Sequence, residues 1–195
     1  MHGRAARTRR RGVARVTGAR ASGTLADTMA AIRTQLPVRP IAAADRDRLA
    51  AAFERLGKDS RYQRFLHPKP GLSEAELVSF TEVDHISHEA LVAIDPRDDA
   101  IVAVARYAAA CGECTTAELA VTVVDDWQGR GIGTMLARRL LPIARANGVT
   151  ELIAVTLAEN ARARALLRRL GFRKTWSSHG VLELRLELAP AVAAA

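Results

Sequence analysis

The stretch that decides the fold of this chain is Val123-Val124-Asp125-Asp126-Trp127-Gln128-Gly129-Arg130-Gly131-Ile132-Gly133-Thr134. An apolar, β-branched run over residues 119–124 leads into it and is typical of a strand. An amphipathic helix pattern follows and places Ile132, Leu136, Leu140 and Ile143 on one face. The glycines therefore lie where a strand turns into a helix.

The three glycines of this turn indicate a site for a phosphate or a pyrophosphate. Gly129, Gly131 and Gly133 let the backbone approach a ligand closely and adopt angles that other residues avoid. The free N–H groups of the first helical turn and the helix dipole favour an anion at this point. Neither the phosphate-loop pattern nor the dinucleotide pattern fits, because no lysine follows the glycines and the third dinucleotide glycine is missing.

Two motifs carry a family resemblance. The pattern Gln128-x-x-Gly131-x-Gly133 resembles the acyl-coenzyme A loop of the GNAT N-acetyltransferase superfamily. At the expected distance, the stretch Asn160-x-x-Ala163-x-x-Leu166-x-x-x-Leu170-Gly171-Phe172 is similar to the second coenzyme A motif of that family. Upstream, residues 60–65 and 83–93 resemble the catalytic domain of bacterial protein lysine acetyltransferases.

The resemblance implies acetyl-CoA as the cosubstrate, no metal, and a defined set of binding residues. Main-chain groups of Val121 and Val123 would pair with the pantetheine arm like an added strand. Asn160 would cap its helix and contact the same arm. Arg130 would either add positive charge beside a phosphate or be a solvated loop arginine. The residues implied for the pyrophosphate are Gln128, Gly129, Arg130, Gly131, Ile132, Gly133 and Thr134.

Acyl transfer to an amine predicts a general base, and Glu118 is the candidate. A lysine amine, whose pKa is about 10.4, must lose a proton before it attacks a thioester. Glu118 is a lone acid in an apolar strand and matches the family's base position; the alternative is an exposed residue at a hairpin start. Backbone N–H groups near Val123 are the implied oxyanion donors. Many family members place a tyrosine after the leucine of the second motif to protonate the thiolate, but Leu167 stands there.

The order of elements predicts an α/β fold, a GNAT-like central twisted mixed β-sheet flanked by helices on both faces. The pattern is β-α-α-α-β-β-β-α-β-α-β-β over residues 32–188. The strands are expected at residues 32–41, 88–94, 100–110, 116–124, 150–157, 172–176 and 181–188. The helices are expected at residues 45–56, 59–65, 73–80, 132–147 and 160–170. The apolar strand at residues 150–157 is expected to be buried on both faces.

Charge and composition divide the chain into a tail and one domain. Residues 1–30 hold seven arginines against Asp27 and so supply +6 of the net charge of +8. This Arg-rich tail predicts disorder: a dispensable or solvated extension, an arm for nucleic acid or a membrane surface, or a transit peptide. Residues 31–189 are predicted to be the N-acetyltransferase domain, and residues 190–195 a short Ala-rich end. Without an apolar spanning segment, the expected compartment is the cytoplasm.

The remaining candidate groups are two cysteines and two histidines. Cys111 and Cys114 form a C-x-x-C pair, which is predicted to be a hairpin tip rather than half of a zinc or redox site. His85 and His88 would either line the acceptor cleft or cap a strand.

The leading hypothesis is an acetyl-CoA-dependent N-acetyltransferase that acts on a protein lysine or a small amine. The alternatives are a non-catalytic acyl-CoA-binding regulatory module and a nucleic-acid-associated protein. The near-neutral charge beyond residue 30 disfavours nucleic acid as a partner, and no membrane partner is expected. The sequence names neither the acceptor nor the oligomeric state.

Overall fold

The computed structural model describes residues 36–109 and 115–189, which form one seven-stranded mixed sheet with helices on both faces. The strand order is β1-β2-β3-β4-β5-β7-β6. All neighbouring strands are antiparallel except β4 and β5, which are parallel. The predicted architecture and order of elements are confirmed.

Except for the first strand, which was predicted at residues 32–41, the elements lie within a few residues of their predicted bounds. The strands are β1 (Val38–Pro40), β2 (His88–Ile94), β3 (Ile101–Ala109), β4 (Thr116–Val123), β5 (Glu151–Leu157), β6 (Arg173–Ser178) and β7 (Val181–Glu187). The helices are α1 (Arg46–Glu54), α2 (Lys58–Phe65), α3 (Glu74–Thr81), α4 (Ile132–Ala146) and α5 (Ala161–Leu170). Short 3-10 turns precede α1 and α4, at Ala43–Asp45 and Asp125–Trp127.

Local signals fix the helix ends. Ser73 and Glu76 form a capping box at the start of α3: Ser73 Oγ accepts from the Glu76 N–H, and the Glu76 carboxylate accepts from the Ser73 N–H. Gly171 ends α5 with a φ of 97°, a left-handed conformation that favours glycine. Residues at these helix ends therefore determine where α3 begins and where α5 stops.

Helices α1 to α3 cover one face of the sheet, and α4 and α5 cover the other. Ile132, Leu136 and Leu140 are buried as predicted. Ile143 was predicted on the same face but is only half-buried, and Ala144 takes the buried position. The reason is geometric: a helix repeats every 3.6 residues, so either the third or the fourth residue after Leu140 can face the core.

The structure corrects the prediction that β5 is buried on both faces. Leu152, Ala154 and Thr156 are buried, whereas Val155 is 38% exposed and Ile153 is half-buried. The strand therefore alternates, because one of its faces borders an open cleft rather than a helix.

Three predictions fall outside the described residues: the tail at residues 1–30, the cysteine pair at positions 111 and 114, and the Ala-rich end. Among the described helices, none has the length and apolar character needed to cross a membrane.

Candidate active site

Strands β4 and β5 separate after a short parallel contact, and the separation opens a cleft. The two strands pair only from Thr116 to Glu118 on β4 and from Glu151 to Ile153 on β5. Beyond this contact, β4 pairs with β3 on one side, and residues 120–122 face residues 154–156 across a cleft of about 480 Å³. A backbone edge in the middle of the sheet is therefore left open for a ligand.

The open edge of β4 presents the main-chain groups of Val121 and Val123. The Val123 carbonyl accepts a hydrogen bond from Gln128 Nε2 at 3.1 Å, so it points away from β3. Because the backbone groups of a strand alternate between its two edges, those of Val121 point the same way. Both residues line the cleft, and the resemblance implies main-chain contacts with the cofactor at these positions.

The glycine loop closes one end of the cleft with the start of α4. Gly129 and Gly131 have φ values of 75° and 76°, in the left-handed region that favours glycine. Gly131 is the N-cap residue and offers no side chain to the helix, so the N–H groups of Ile132, Gly133 and Thr134 lack a capping partner. These residues line the cleft, and their N–H groups and the helix dipole form an anion site.

Gly133 has a packing role that the sequence did not indicate. It does not adopt a positive φ, unlike the two preceding loop glycines. A Cβ at this position would lie 3.0 Å from Val121 Cγ1 and 3.1 Å from Leu166 Cδ1. The absence of a side chain lets α4 approach both β4 and α5, which sets the width of the cleft.

Gln128 connects the loop to its surroundings. Its Nε2 donates to Asp125 Oδ1 at 2.9 Å and to Ser60 Oγ at 3.2 Å, besides the Val123 carbonyl. Its Oε1 accepts from Arg162 Nη1 at 2.5 Å. Gln128 thus holds the loop against β4, α2 and α5, and it also places the guanidinium of Arg162 in the cleft lining.

Arg162 was not among the site residues predicted from the sequence. It is the second residue of α5. Arg130, which was predicted as a site residue, does not line the cleft. The Arg130 guanidinium lies 4.7 Å from the centre of the Trp127 ring and donates to the Asp126 carbonyl at 2.8 Å. Of these two arginines, Arg162 is therefore the one positioned to neutralise an anion in the cleft.

Asn160 has the capping role predicted for it and also lines the cleft. Its Oδ1 accepts from the Ala163 N–H at 3.0 Å at the start of α5. Leu167, one helical turn after Ala163, is 5% exposed and part of the core. The chain has two tyrosines, Tyr62 and Tyr107, and neither lines the cleft, so no phenol replaces the missing one.

Glu118 lies in the cleft at the point where β4 and β5 separate. It is the last β4 residue paired with β5, and its side chain is exposed. The pKa of Arg64, on α2, is lowered by burial, and the negative charge of Glu118 opposes this effect. A solvent-accessible carboxylate therefore lies next to the open edge of β4, with a cation across from it.

Thr156 is a second polar group of the cleft that the sequence did not indicate. Its hydroxyl is buried and has no hydrogen-bond partner in the described part of the chain. The residue is 3% exposed and belongs to the cleft lining. Buried hydroxyls are normally paired, so an unpaired one beside a cavity indicates a group that a ligand satisfies.

The two histidines lie outside the cleft lining. His85 Nδ1 is 2.9 Å from Glu89 Oε1, and the N–H of His88 donates to Asp84 Oδ1 at the start of β2. Burial, followed by the positive charge of Arg106, lowers the pKa of His88. This geometry favours the alternative in which the histidines organise the start of a strand.

The described residues include no group of three or more His, Cys, Asp or Glu side chains that could hold a metal ion. The cleft offers main-chain donors at one end, an open strand edge along its length and a carboxylate at the other end. These features suit a ligand that carries phosphate at one end and amide groups along an extended arm.

Comparison with known proteins identifies the family. The family model described as an acetyltransferase (GNAT) domain matches residues 35–173, and the chain belongs to this family. It is therefore an enzyme of the N-acetyltransferase class that uses acetyl-CoA.

The individual relatives place the chain near bacterial acetyltransferases. It is 37% identical to an acetyltransferase of Pseudomonas aeruginosa, over 69% of this chain and 73% of that protein. It is 30% identical to the acetyltransferase Pat of Mycolicibacterium smegmatis, over 83% of this chain but only 51% of that protein, so it spans about half of this relative. The structure of the GNAT domain of S. lividans PAT superposes with a TM-score of 0.73 at 29% identity, covering 78% of this chain and 90% of that one.

Proposed function

We propose that this chain transfers the acetyl group of acetyl-CoA directly to a primary amine, with Glu118 as the general base. The observation that carries the proposal is the position of Glu118, exposed in the cleft where β4 leaves β5. An amine entering from this side meets the carboxylate and the open edge of β4 together. The acceptor is a protein lysine or a small amine.

The cofactor end of the cleft supports a specific arrangement of acetyl-CoA. The pyrophosphate would bind the N–H groups of residues 132–134, with Arg162 beside it. The pantetheine amides would pair with the main chain of Val121 and Val123 as an added strand. The Thr156 hydroxyl then gains a hydrogen-bond partner, which it lacks among the described residues.

The reaction follows from these positions. The nitrogen of the neutral amine attacks the thioester carbon, and Glu118 takes the proton that the nitrogen loses, directly or through a water molecule. A backbone N–H near Val123 donates to the developing oxyanion. The carbon–sulfur bond then breaks and releases coenzyme A as a thiolate. A thiol of pKa about 8.5 is an acceptable leaving group without an acid, which agrees with the buried Leu167.

The proposal is tested by substituting Glu118 with glutamine. The amide keeps the shape of the side chain but cannot take a proton, so kcat should fall by about a hundredfold at pH 7. The deficit should shrink at high pH, where more of the acceptor amine is already neutral. Release of the coenzyme A thiol, measured with a panel of amines and lysine peptides, gives the rate, and calorimetry gives the acetyl-CoA affinity, which should not change.

The matched control is Glu187→Gln, an exposed glutamate on β7 outside the cleft lining. It should retain wild-type turnover. Equal turnover of Glu118→Gln and the wild type across pH 6 to 9 would contradict the assigned base. Binding of acetyl-CoA without acetylation of any amine would instead support the alternative, an acyl-CoA-binding regulatory module.

A further inference from the structure

Arg106 is a buried cation that has no carboxylate partner among the described residues. It is 7% exposed on β3, on the face of the sheet that α3 covers. Its guanidinium lies 3.3 Å from His88 Nε2 and 3.3 Å from the Phe80 carbonyl, and 4.3 Å from the centre of the Phe80 ring. Burial, together with the positive charge of Arg64, lowers the pKa of Arg106 to about 9.

Arg64 is a second, half-buried cation without an ion pair in the described structure, and it lines the acetyl-transfer cleft. It is half-buried on α2, with its guanidinium 5.0 Å from the centre of the Phe65 ring. Within residues 36–109 and 115–189 it makes no hydrogen bond or ion pair. Glu118 acts on it electrostatically without a salt bridge, and burial lowers its pKa.

Other arginines of the fold that interact with buried groups have their own acids. Arg39 donates two hydrogen bonds to Asp45, which is 1% exposed, and Arg97 binds Asp95 in the same bidentate way. A buried charge without a partner destabilises a protein unless a ligand completes it. Arg106 is in this state, and the positive charge of half-buried Arg64 acts on it. Because the two charges repel each other, the pair of guanidiniums forms a site for an anion.

The two arginines line a common cavity that lies next to the cleft. A recess of about 50 Å³ is lined by both Arg64 and Arg106, and its other walls are mainly apolar. The recess and the cleft have five lining residues in common: Leu56, Arg64, Phe65, Ala120 and Thr122. An anion bound at Arg64 therefore lies on the acceptor side of the cleft, near Glu118.

We propose that the acceptor is an α-amino acid, whose carboxylate binds between Arg64 and Arg106 while its α-amine faces Glu118. The inference rests on the acetyl transfer proposed above and specifies its acceptor. In an α-amino acid a single carbon separates the amine from the carboxylate. The amine can therefore lie at Glu118 while the carboxylate lies at Arg64, because these two side chains are close enough to interact electrostatically. The side-chain amine of a protein lysine carries no carboxylate near it, so it would leave both guanidiniums unpaired.

The chemical step is the one already described, with these groups in place. The α-nitrogen forms a bond to the thioester carbon, the carbon–sulfur bond breaks, and the proton of the amine passes to Glu118. The carboxylate does not react. It holds the amine in the cleft through charge-assisted hydrogen bonds from the guanidiniums.

The test compares free amino acids with their carboxamides in the acetyl-CoA thiol-release assay. The amide removes the negative charge, and it also lowers the pKa of the amine, so a poorer rate cannot come from a less available nucleophile. For each amino acid that is acetylated, we expect kcat/KM of its amide to be lower by about a hundredfold, as expected for a charged group left unpaired.

Variants connect the preference to the arginines. Arg64→Gln should reduce kcat/KM for the free amino acid by about a hundredfold and leave the amide nearly unaffected, whereas Arg64→Lys should recover part of the loss. The matched control, Arg138→Gln, changes an exposed arginine on α4 outside the cleft and should have no effect. Acetyl-CoA affinity should stay the same in all three variants.

Each outcome has a distinct meaning. Loss of the acid-over-amide preference in Arg64→Gln supports the inference. Equal rates for acids and amides, or a preference for lysine peptides, would overturn it and leave acetyl transfer intact. Binding of acetyl-CoA with no acetylation of acids, amides or peptides would overturn both the acceptor and the proposed reaction.

Discussion

Replacing Thr156 with valine should separate the stability of the fold from its affinity for acetyl-CoA. The hydroxyl of Thr156 is buried and lacks a partner in the described structure, and valine exchanges it for a methyl group of similar shape. An unpaired buried hydroxyl costs about 1–3 kcal/mol. We expect the low end here, because the side chain borders a cleft. The unfolding free energy should therefore rise by about 1 kcal/mol, which corresponds to roughly 2–4 °C in Tm for a domain of this size.

The affinity should move in the opposite direction. If the bound cofactor supplies the missing partner, the valine variant loses one neutral hydrogen bond, worth about 0.5–1.5 kcal/mol. The Kd for acetyl-CoA then rises roughly 2- to 12-fold. Thermal melts followed by circular dichroism, without ligand, give the first quantity, and isothermal titration calorimetry gives the second.

Thr81 provides the matched control. It is 1% exposed, but its hydroxyl donates to the Leu77 carbonyl at 2.7 Å. Thr81→Val deletes the same group from an equally buried residue, yet it loses a formed hydrogen bond, so its Tm should fall. If Thr156→Val melted as low as Thr81→Val and bound acetyl-CoA normally, the hydroxyl would not be a ligand-binding group.

Two further perturbations test the loop and the entry to the sheet. Gly131→Glu places a carboxylate at the anion site and strains a left-handed residue, so it should abolish the stabilisation by acetyl-CoA, which is about 2.7 kcal/mol at a hundred times Kd and is measured as a rise in Tm. Gly180→Glu, at a φ of 78° outside the cleft, carries the same strain and should keep this rise in Tm. Asp45→Asn should cost about 2 kcal/mol at pH 7 in urea unfolding, less than a fully buried pair because Arg39 is 40% exposed. Hydrogen bonds from Arg39 lower the pKa of Asp45 in the folded protein. The difference in unfolding free energy between wild type and variant should therefore be complete above the unfolded pKa of about 3.9 and vanish as the pH falls through the lower folded pKa. A constant difference down to pH 2 would contradict a stabilising ion pair at Asp45.

The sequence predicted the parts of the site that depend on neighbours along the chain. The strand, the glycine turn and the start of α4 are local, and the left-handed angles of Gly129 and Gly131 follow from their type. The cap at Asn160 is equally local. The place of Gly133 in the loop was predicted, but its packing role was not, because its contacts with Val121 and Leu166 join elements that are distant in sequence.

The acceptor side was not predictable because long-range packing creates it. Arg64 comes from a short helix and Arg106 from a strand, and each reads as an ordinary surface or strand residue in the sequence. Only the fold shows that Arg64 lies near Glu118, that Arg106 lies near Arg64, and that neither forms an ion pair within the described residues. Thr156 is similar: a threonine in a strand is common, and its unpaired state depends on the divergence of β4 and β5.

The short contact between β4 and β5 also makes this sheet mechanically uneven. Three residue pairs join a four-stranded half, β1 to β4, to a three-stranded half, β5 to β7. A pantetheine arm lying along β4 would continue the hydrogen-bond ladder past Glu118, where the protein's own ladder stops. The cosubstrate would then act as a cross-link between the two halves, and its departure after each turnover would return the sheet to its more loosely joined form.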